Sequence, residues 1–248
     1  MNIWPTIDRE PVDLPVLPGL DDRLWLALVE LTEVMQGAWT LIGGQMVLLH
    51  SLENEAQAPR VSADIDVLVD ARVAAGGIRE FVNALGSLGF DLEGASPDGL
   101  AHRYGRDGVG IDVLAPEGLG PRTDLTTTPP GRTLEVPGGS QALSRTEFVP
   151  IRFQQSTGYV PRPSLLGAII CKAAAVDIDD VPSAQRADLA LLLSLVGDPL
   201  ILASKLTSKD KARLRKRSEM GSPENPAWHT LNVHDADRGR AAYRLLTR

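Results

Sequence analysis

Two aspartates in one apolar segment are the residues of this sequence best suited to chemistry. Asp64 and Asp66 stand in the run DIDVLV at 64–69, which is typical of a β-strand. Because strand side chains alternate between faces, both carboxylates point the same way and the apolar residues point the other way. Two like charges on one face of a buried strand repel each other and lose hydration unless a cation lies between them. The spacing therefore predicts a divalent-cation site.

A third carboxylate and a Gly-Gly turn accompany this pair. Asp112 lies in the short apolar segment 108–114, which has the pattern of another strand. Gly43 and Gly44 open a predicted helix, so the backbone can approach a phosphate closely and the helix N-terminus offers it free N–H groups. Gln45 is a candidate hydrogen-bond donor to a phosphate or ribose oxygen. A tight strand-to-helix turn without a ligand is the alternative for the two glycines.

The order of these motifs resembles the polymerase-beta-like nucleotidyltransferase superfamily. GGxxxxxH at 43–50, followed by RxSxDID at 60–66, looks closest to its AbiEii-like branch, which includes the MenT toxins. The resemblance covers roughly residues 38–195 and is strongest over 42–70. It implies the Mg²⁺-dependent transfer of a nucleoside monophosphate from an NTP to an acceptor hydroxyl, with release of pyrophosphate.

The resemblance also implies roles for single residues. Asp64 and Asp66 would hold the nucleotide-side Mg²⁺, and Asp112 would complete a second ion site about 3.5–4 Å away and bring the acceptor hydroxyl close to its deprotonated form. Ser62 and Arg60 are candidate phosphate contacts. Each has a plainer alternative: Asp112 as an edge-strand residue, Ser62 as an ordinary strand-start serine, and Arg60 as the partner of surface acids.

Lys172 and Asp188 extend the resemblance into the C-terminal part as further candidates for the catalytic and nucleotide-binding site. The family tends to show a lysine on one helix and Lys-Asp-x-x-Asp on the next, but Ala184 and Gln185 stand here where its Lys-Asp would be. A lysine in an apolar helix is costly unless its ammonium reaches an anion, which a bound triphosphate would supply. The alternatives are that Lys172 extends to solvent, and that Asp188 is solvated or forms an ion pair with Lys172.

The element pattern predicts an α+β fold. Strand and helix signals over 38–114 read β-α-β-α-β-β-β, with Arg106-Asp107-Gly108 as a hairpin turn, and a further strand pair is predicted over 144–154. Helical patterns follow at 164–178, 183–196, 199–220 and 235–247. We therefore expect a small mixed-sheet nucleotidyltransferase head with an N-terminal arm over 1–160 and an α-helical C-terminal domain over 161–248.

Composition sets outer bounds on function. The chain of 248 residues has a net charge of −7, which argues against broad nonspecific coating of nucleic acid. A basic run from Lys205 to Arg217 is a candidate contact for RNA phosphates, or else a solvated helix face. The N-terminus lacks a secretory pattern and no apolar run is long enough to cross a bilayer, so we expect a cytoplasmic protein with no membrane partner. The single Cys171 excludes an internal disulfide and is expected to be a core thiol.

Three functions stay open at this point. By resemblance, the chain is the toxin of a toxin–antitoxin pair, with an NTP, tRNA as acceptor and a cognate antitoxin protein as its partners. In the second, the same transfer modifies a small molecule such as an aminoglycoside, or a protein hydroxyl. In the third, the chain is a noncatalytic binding protein with the same fold, against which the three aspartates argue. The spacing of the motifs selects neither the NTP nor the acceptor.

Overall fold

The computed structural model describes residues 4–16, 22–35, 38–58, 60, 62–72 and 76–248, and these form an α+β fold. The strands of the described part are β1 Val12–Asp13, β2 Trp39–Ile42, β3 Asp64–Val69, β4 Asp91–Leu92, β5 Arg103–Arg106, β6 Val109–Pro116, β7 Glu135–Val136, β8 Thr146–Phe153 and β9 Ser156–Pro163. Its α-helices are α1 Arg23–Val34, α2 Gly43–Glu53, α3 Gly77–Ser87, α4 Gly139–Ser144, α5 Leu165–Ala175, α6 Pro182–Ser194, α7 Pro199–Ser204, α8 Ser208–Arg215 and α9 Val233–Leu246. The predicted fold class is confirmed at this level.

The larger sheet has the strand order β2-β3-β6-β5-β4, with β7 added beside β6. Its central pair β3 and β6 is parallel, whereas β2 and β5 run antiparallel to their neighbours. The turn between β5 and β6 places Asp107 and Gly108 at φ values of 52° and 83°. Positive φ at both turn residues suits a tight two-residue hairpin, so the predicted hairpin turn is confirmed.

The two faces of β3 differ as the alternation predicts. Ile65 and Val67 are fully buried, while Asp64 and Asp66 on the opposite face are only partly buried. Ile111 and Val113 of β6 lie on the same buried face and are also fully buried. One face of the central pair therefore belongs to the hydrophobic core, and the other carries the carboxylates.

A second, three-stranded sheet has the order β1-β8-β9. The N-terminal arm supplies β1, which pairs in parallel with β8. The strand pair predicted over 144–154 is wrong, because α4 ends at Ser144 and this segment forms only one long strand, β8. Its antiparallel partner is β9, which follows a short turn.

The single long helix predicted over 199–220 is also wrong. It is divided into α7 and α8 because Thr207 begins a new helix with a capping box, in which its side chain and that of Asp210 each accept the other's backbone N–H. Arg217 lies beyond the end of α8, so it does not continue the helical face of Arg213. Within the described ranges, no helix is long and apolar enough to cross a membrane.

One hydrophobic cluster runs from β1 to α9. Its largest members include Trp25, Trp39 and Trp228, and the ring of Trp39 packs edge-on against Phe81 at 5.9 Å between centroids. The division of the chain near residue 160 stays a prediction, and it falls inside β9. This shared core fixes the large sheet against α2, α5 and α6, the helices that complete the site.

Candidate functional site

Strand register brings the predicted acids together at one end of the larger sheet. Asp66 of β3 lies directly beside Asp112 of the parallel strand β6, and Asp64 lies beside Gly110. On the other side of β3, Asp66 is paired with Ile42, the last residue of β2. Since α2 begins at the next residue, the Gly-Gly turn stands next to Asp66.

Gly43 allows the closest approach in this part of the molecule. Its φ of 69° lies in the left-handed region, and a Cβ placed on it would lie 1.7 Å from Oδ2 of Asp66. Gly44 is similarly close to Ser62, because a Cβ placed on Gly44 would lie 2.5 Å from Cβ of Ser62. The first turn of α2 therefore rests against the carboxylate and against the chain that leads into β3.

Replacing Gly43 by alanine is expected to lower the free energy of unfolding by about 2 kcal/mol or more, because it adds backbone strain and a clash with Asp66. Gly99→Ala is the matched control, since Gly99 also has a positive φ of 83° but has no atom within 4 Å of its Cβ position. Urea denaturation of both variants measures the difference. Equal losses would show that the contact with Asp66 carries no cost.

Burial and neighbouring carboxylates raise the pKa of both Asp66 and Asp112. Burial, followed by the charge of Asp112, raises the pKa of Asp66 to about 6, against the opposing effect of Lys172. Burial also raises the pKa of Asp112, while Arg103 acts to lower it. Oδ1 of Asp112 is buried and has no hydrogen-bond partner among the described residues. The site thus concentrates negative charge that protein cations only partly compensate.

Arg103 is a member of the site that the sequence patterns did not single out. It stands opposite Asp112 in the β5–β6 pairing, and its guanidinium donates to Oδ1 of Asp64 at 2.6 Å and to Oδ2 of Asp112 at 3.3 Å. Its Nε donates to Glu93 at 2.8 Å. The tight Asp-Gly hairpin was the available signal, because it fixes the register that puts Arg103 beside Asp112.

Two facing glycines make room for this cluster. Gly105 and Gly110 are paired across β5 and β6. A Cβ on Gly110 would lie 2.7 Å from Nη2 of Arg103, and a Cβ on Gly105 would lie 2.1 Å from Oε1 of Glu93. Neither glycine has a positive φ. Glycine is therefore needed at these two positions because a side chain would not fit, and not because of the backbone conformation.

Two of the predicted phosphate contacts, Gln45 and Arg60, form hydrogen bonds within the protein. Gln45 is fully buried, and its Nε2 donates to the carbonyl of Ser62 at 2.6 Å, so this amide holds the chain that enters β3. Arg60 donates to Oδ2 of Asp188 at 2.8 Å. Its side chain keeps 36% of its surface exposed beside Gly44, so part of it stays accessible to a ligand.

Lys172 and Asp188 form a buried ion pair between α5 and α6. Nζ of Lys172 lies 2.8 Å from Oδ2 of Asp188, with the side chains only 2% and 1% exposed. The ammonium also donates to Oε1 of Gln185 at 2.8 Å. Lys172 therefore pairs with Asp188, as the ion-pair alternative proposed, and the alternative that it extends to solvent is wrong. Its contact with a bound triphosphate stays a prediction. Gln185 provides an acceptor at a position where the sequence departs from the resembled pattern.

A small cavity of 130 Å³ lies beside Lys172 and Asp66. Asp66, Gly43 and Lys172 line one part of it, and its remaining lining includes apolar side chains such as Leu114 and Val136. Ligand pockets for drug-sized molecules measure about 300–1,000 Å³, so this cavity by itself is smaller than such a pocket. Cys171 lies in the same wall, where burial raises the pKa of its thiol to about 11, as befits a core residue.

Four of the seven cations of the basic run make contacts within the protein. Arg213 pairs with Glu117, and Arg217 pairs with Asp177 at 2.5 Å. Lys211 and Arg215 donate to the carbonyls of Arg248 and Thr247 at 3.4 Å and 2.9 Å. Lys205, Lys209 and Lys216 remain exposed. Arg215 is exposed as well, so the exposed cations of the run are these three lysines and Arg215.

The carboxylate oxygens of Asp64, Asp66 and Asp112 are the type of ligand that a hard divalent cation prefers. In this structure these oxygens do not converge on a single point. Three carboxylates share one face, and Oδ1 of Asp112 is buried without a partner among the described residues. Within the part of the chain that the structure describes, no group of three His, Cys, Asp or Glu side chains is arranged to hold a metal ion. The guanidinium of Arg103 pairs with two of the three acids, Asp64 and Asp112.

Comparisons with protein families, with curated proteins and with solved structures give no match to this chain.

Proposed function

We propose that this protein is a Mg²⁺-dependent nucleotidyltransferase that moves a nucleoside monophosphate from an NTP to an acceptor hydroxyl. One observation carries the proposal: Asp66 and Asp112 lie side by side on parallel strands, while the Gly43 turn rests against Asp66. This arrangement combines an oxygen-rich cation site with a helix N-terminus suited to phosphate. In these terms, the larger sheet and its helices are the nucleotidyltransferase head, followed by a helical C-terminal domain.

In the proposed reaction, the acceptor oxygen bonds to the α-phosphorus as the bond to pyrophosphate breaks. Asp64, Asp66 and Asp112 would hold Mg²⁺, which neutralises the charge on the transferring phosphate. The Gly43-Gly44 turn and Arg60 would bind and orient the phosphates. Asp112 would hold Mg²⁺ beside the attacking hydroxyl and so bring that hydroxyl close to its deprotonated form, with the proton passing to solvent water. Lys172 opposes the build-up of negative charge around Asp66.

For the acceptor we propose tRNA, and for the biological role the toxin of a toxin–antitoxin pair in the cytoplasm. The resemblance of the 43–66 motifs supports both, and the exposed Lys205, Lys209 and Lys216 offer contacts for RNA phosphates. The proposed partners are accordingly an NTP, tRNA and a cognate antitoxin protein.

The test supplies each α-labelled NTP with Mg²⁺ and one of three acceptors: total tRNA, a protein mixture or an aminoglycoside panel. Label is expected to appear on tRNA. Label on a protein or drug would retain the transferase and replace its acceptor. If no acceptor is labelled by any NTP, the catalytic proposal is wrong and the noncatalytic binding role takes its place.

A further inference from the structure

Arg103 occupies the position between acids where the proposed cation would have to act. Its two terminal nitrogens reach Asp64 at 2.6 Å and Asp112 at 3.3 Å, each through a carboxylate oxygen. The guanidinium lies over Gly110, where the missing Cβ leaves room for it. A positive group of the protein therefore neutralises the same carboxylates that a divalent ion would neutralise.

We infer that Arg103 is an exchangeable counter-ion, which pairs with Asp64 and Asp112 in the metal-free protein and is displaced when the divalent ion binds. This inference rests on the proposed metal site, but not on the identity of the acceptor. A guanidinium and a divalent cation repel each other, and both compete for the same carboxylate oxygens. The carboxylates can converge on an ion only after Arg103 releases at least one of them.

Glu93 can keep the displaced side chain of Arg103 paired. It accepts a hydrogen bond from Nε of Arg103 at 2.8 Å, independently of the two terminal nitrogens that hold the aspartates. Both side chains are open to solvent at the rim, with Arg103 41% and Glu93 48% exposed. Moving the guanidinium outward therefore requires neither unpairing Nε nor opening the core.

The displacement makes a specific prediction about affinity. The apparent affinity of a ligand is reduced by the fraction of protein that must first rearrange to bind it. Arg103→Gln removes the competing charge and is expected to bind Mn²⁺ about five- to tenfold tighter than the wild type. Without any divalent ion, the same variant is expected to melt at a lower temperature, because its clustered acids lose their counter-ion.

The experiment measures Mn²⁺ binding by electron paramagnetic resonance of the free ion, with no nucleotide and no acceptor present. Arg79→Gln is the matched control, since Arg79 pairs with the exposed Asp124 at 2.9 Å away from the site, and it should leave the Mn²⁺ affinity unchanged. Arg103→Lys keeps the positive charge, but an ammonium cannot span both acids as the planar guanidinium does. Its Mn²⁺ affinity should therefore lie between that of the wild type and that of Arg103→Gln. Arg103→Lys also keeps the test valid if Arg103→Gln folds poorly.

The outcomes separate this inference from the proposed function. Binding of Mn²⁺ by the wild type but not by Asp66→Asn would support the metal site. If the Arg103 variants then bind Mn²⁺ no more tightly than the wild type, Arg103 is not displaced, and the inference is overturned while the metal site stands. If neither the wild type nor any Arg103 variant binds Mn²⁺, the proposed metal site is wrong and the inference falls with it.

Discussion

Replacing Asp66 by asparagine is expected to reduce nucleotidyl transfer by about 10³-fold or more, and also to stabilise the metal-free protein. The loss follows because Asp66 is the acid that faces Asp112, the Gly43 turn and Lys172 together. The gain follows because burial and Asp112 disfavour a charge there and raise the pKa of Asp66 to about 6. A neutral amide avoids this cost, which is about 3 kcal/mol at neutral pH for a pKa raised from 3.8 to about 6.

Transfer of labelled nucleotide measures the first effect, and urea denaturation in EDTA measures the second. Asp70→Asn is the control, because Asp70 follows the same strand but pairs with Arg72 at 2.8 Å instead of joining the site. It should keep transfer. An Asp66→Asn protein that still transfers nucleotide would exclude the proposed mechanism. One that is less stable than the wild type would show that charge repulsion does not dominate at this position.

Replacing Asp188 alone by leucine is expected to lower the free energy of unfolding by about 3 to 5 kcal/mol. The change leaves the ammonium of Lys172 buried, with Gln185 as its remaining hydrogen-bond acceptor. It also frees Arg60, but that side chain is partly exposed and can turn to water. The cost therefore comes mainly from the uncompensated lysine.

The double variant Lys172→Met with Asp188→Leu tests that reason. Because it removes both charges and keeps apolar volume, it should recover more than half of the stability lost in the single variant. Asp13→Asn is the surface control, since Asp13 pairs with Arg152 at 3.1 Å with both side chains well exposed, and its effect should stay within about 0.5 kcal/mol. A double variant as unstable as the single one would mean that Lys172 is not the source of the cost.

Local sequence patterns were sufficient to predict the strand face that carries the carboxylates and the hairpin beside it. Alternation along β3 put Asp64 and Asp66 on one face because successive strand residues must point in opposite directions. Asp107-Gly108 predicted the hairpin because few other residues adopt a positive φ at both positions. The helical pattern of 199–220 was misleading, because the new helix start at Thr207 depends on one side-chain cap rather than on hydrophobic spacing.

Such reasoning left the partners of long side chains open, and it included the Lys172–Asp188 ion pair only as one alternative. A long cationic side chain has a flexible stem that can reach many partners. Arg103 contacts Asp64, whereas Lys172 and Arg60 both contact Asp188. Gln45 was predicted at a ligand, but its amide donates to the carbonyl of Ser62. These choices depend on which elements are neighbours in space.

The sequence by itself determined that three carboxylates and a Gly-Gly turn are available on strands and a helix start, because backbone periodicity and glycine stereochemistry act locally. Only the tertiary structure decided that Asp66 meets Asp112, that Lys172 is neutralised by Asp188, and that Arg103 lies over the acids. These contacts depend on strand register and helix packing, in which burial and charge pairing select one arrangement from many that the sequence allows.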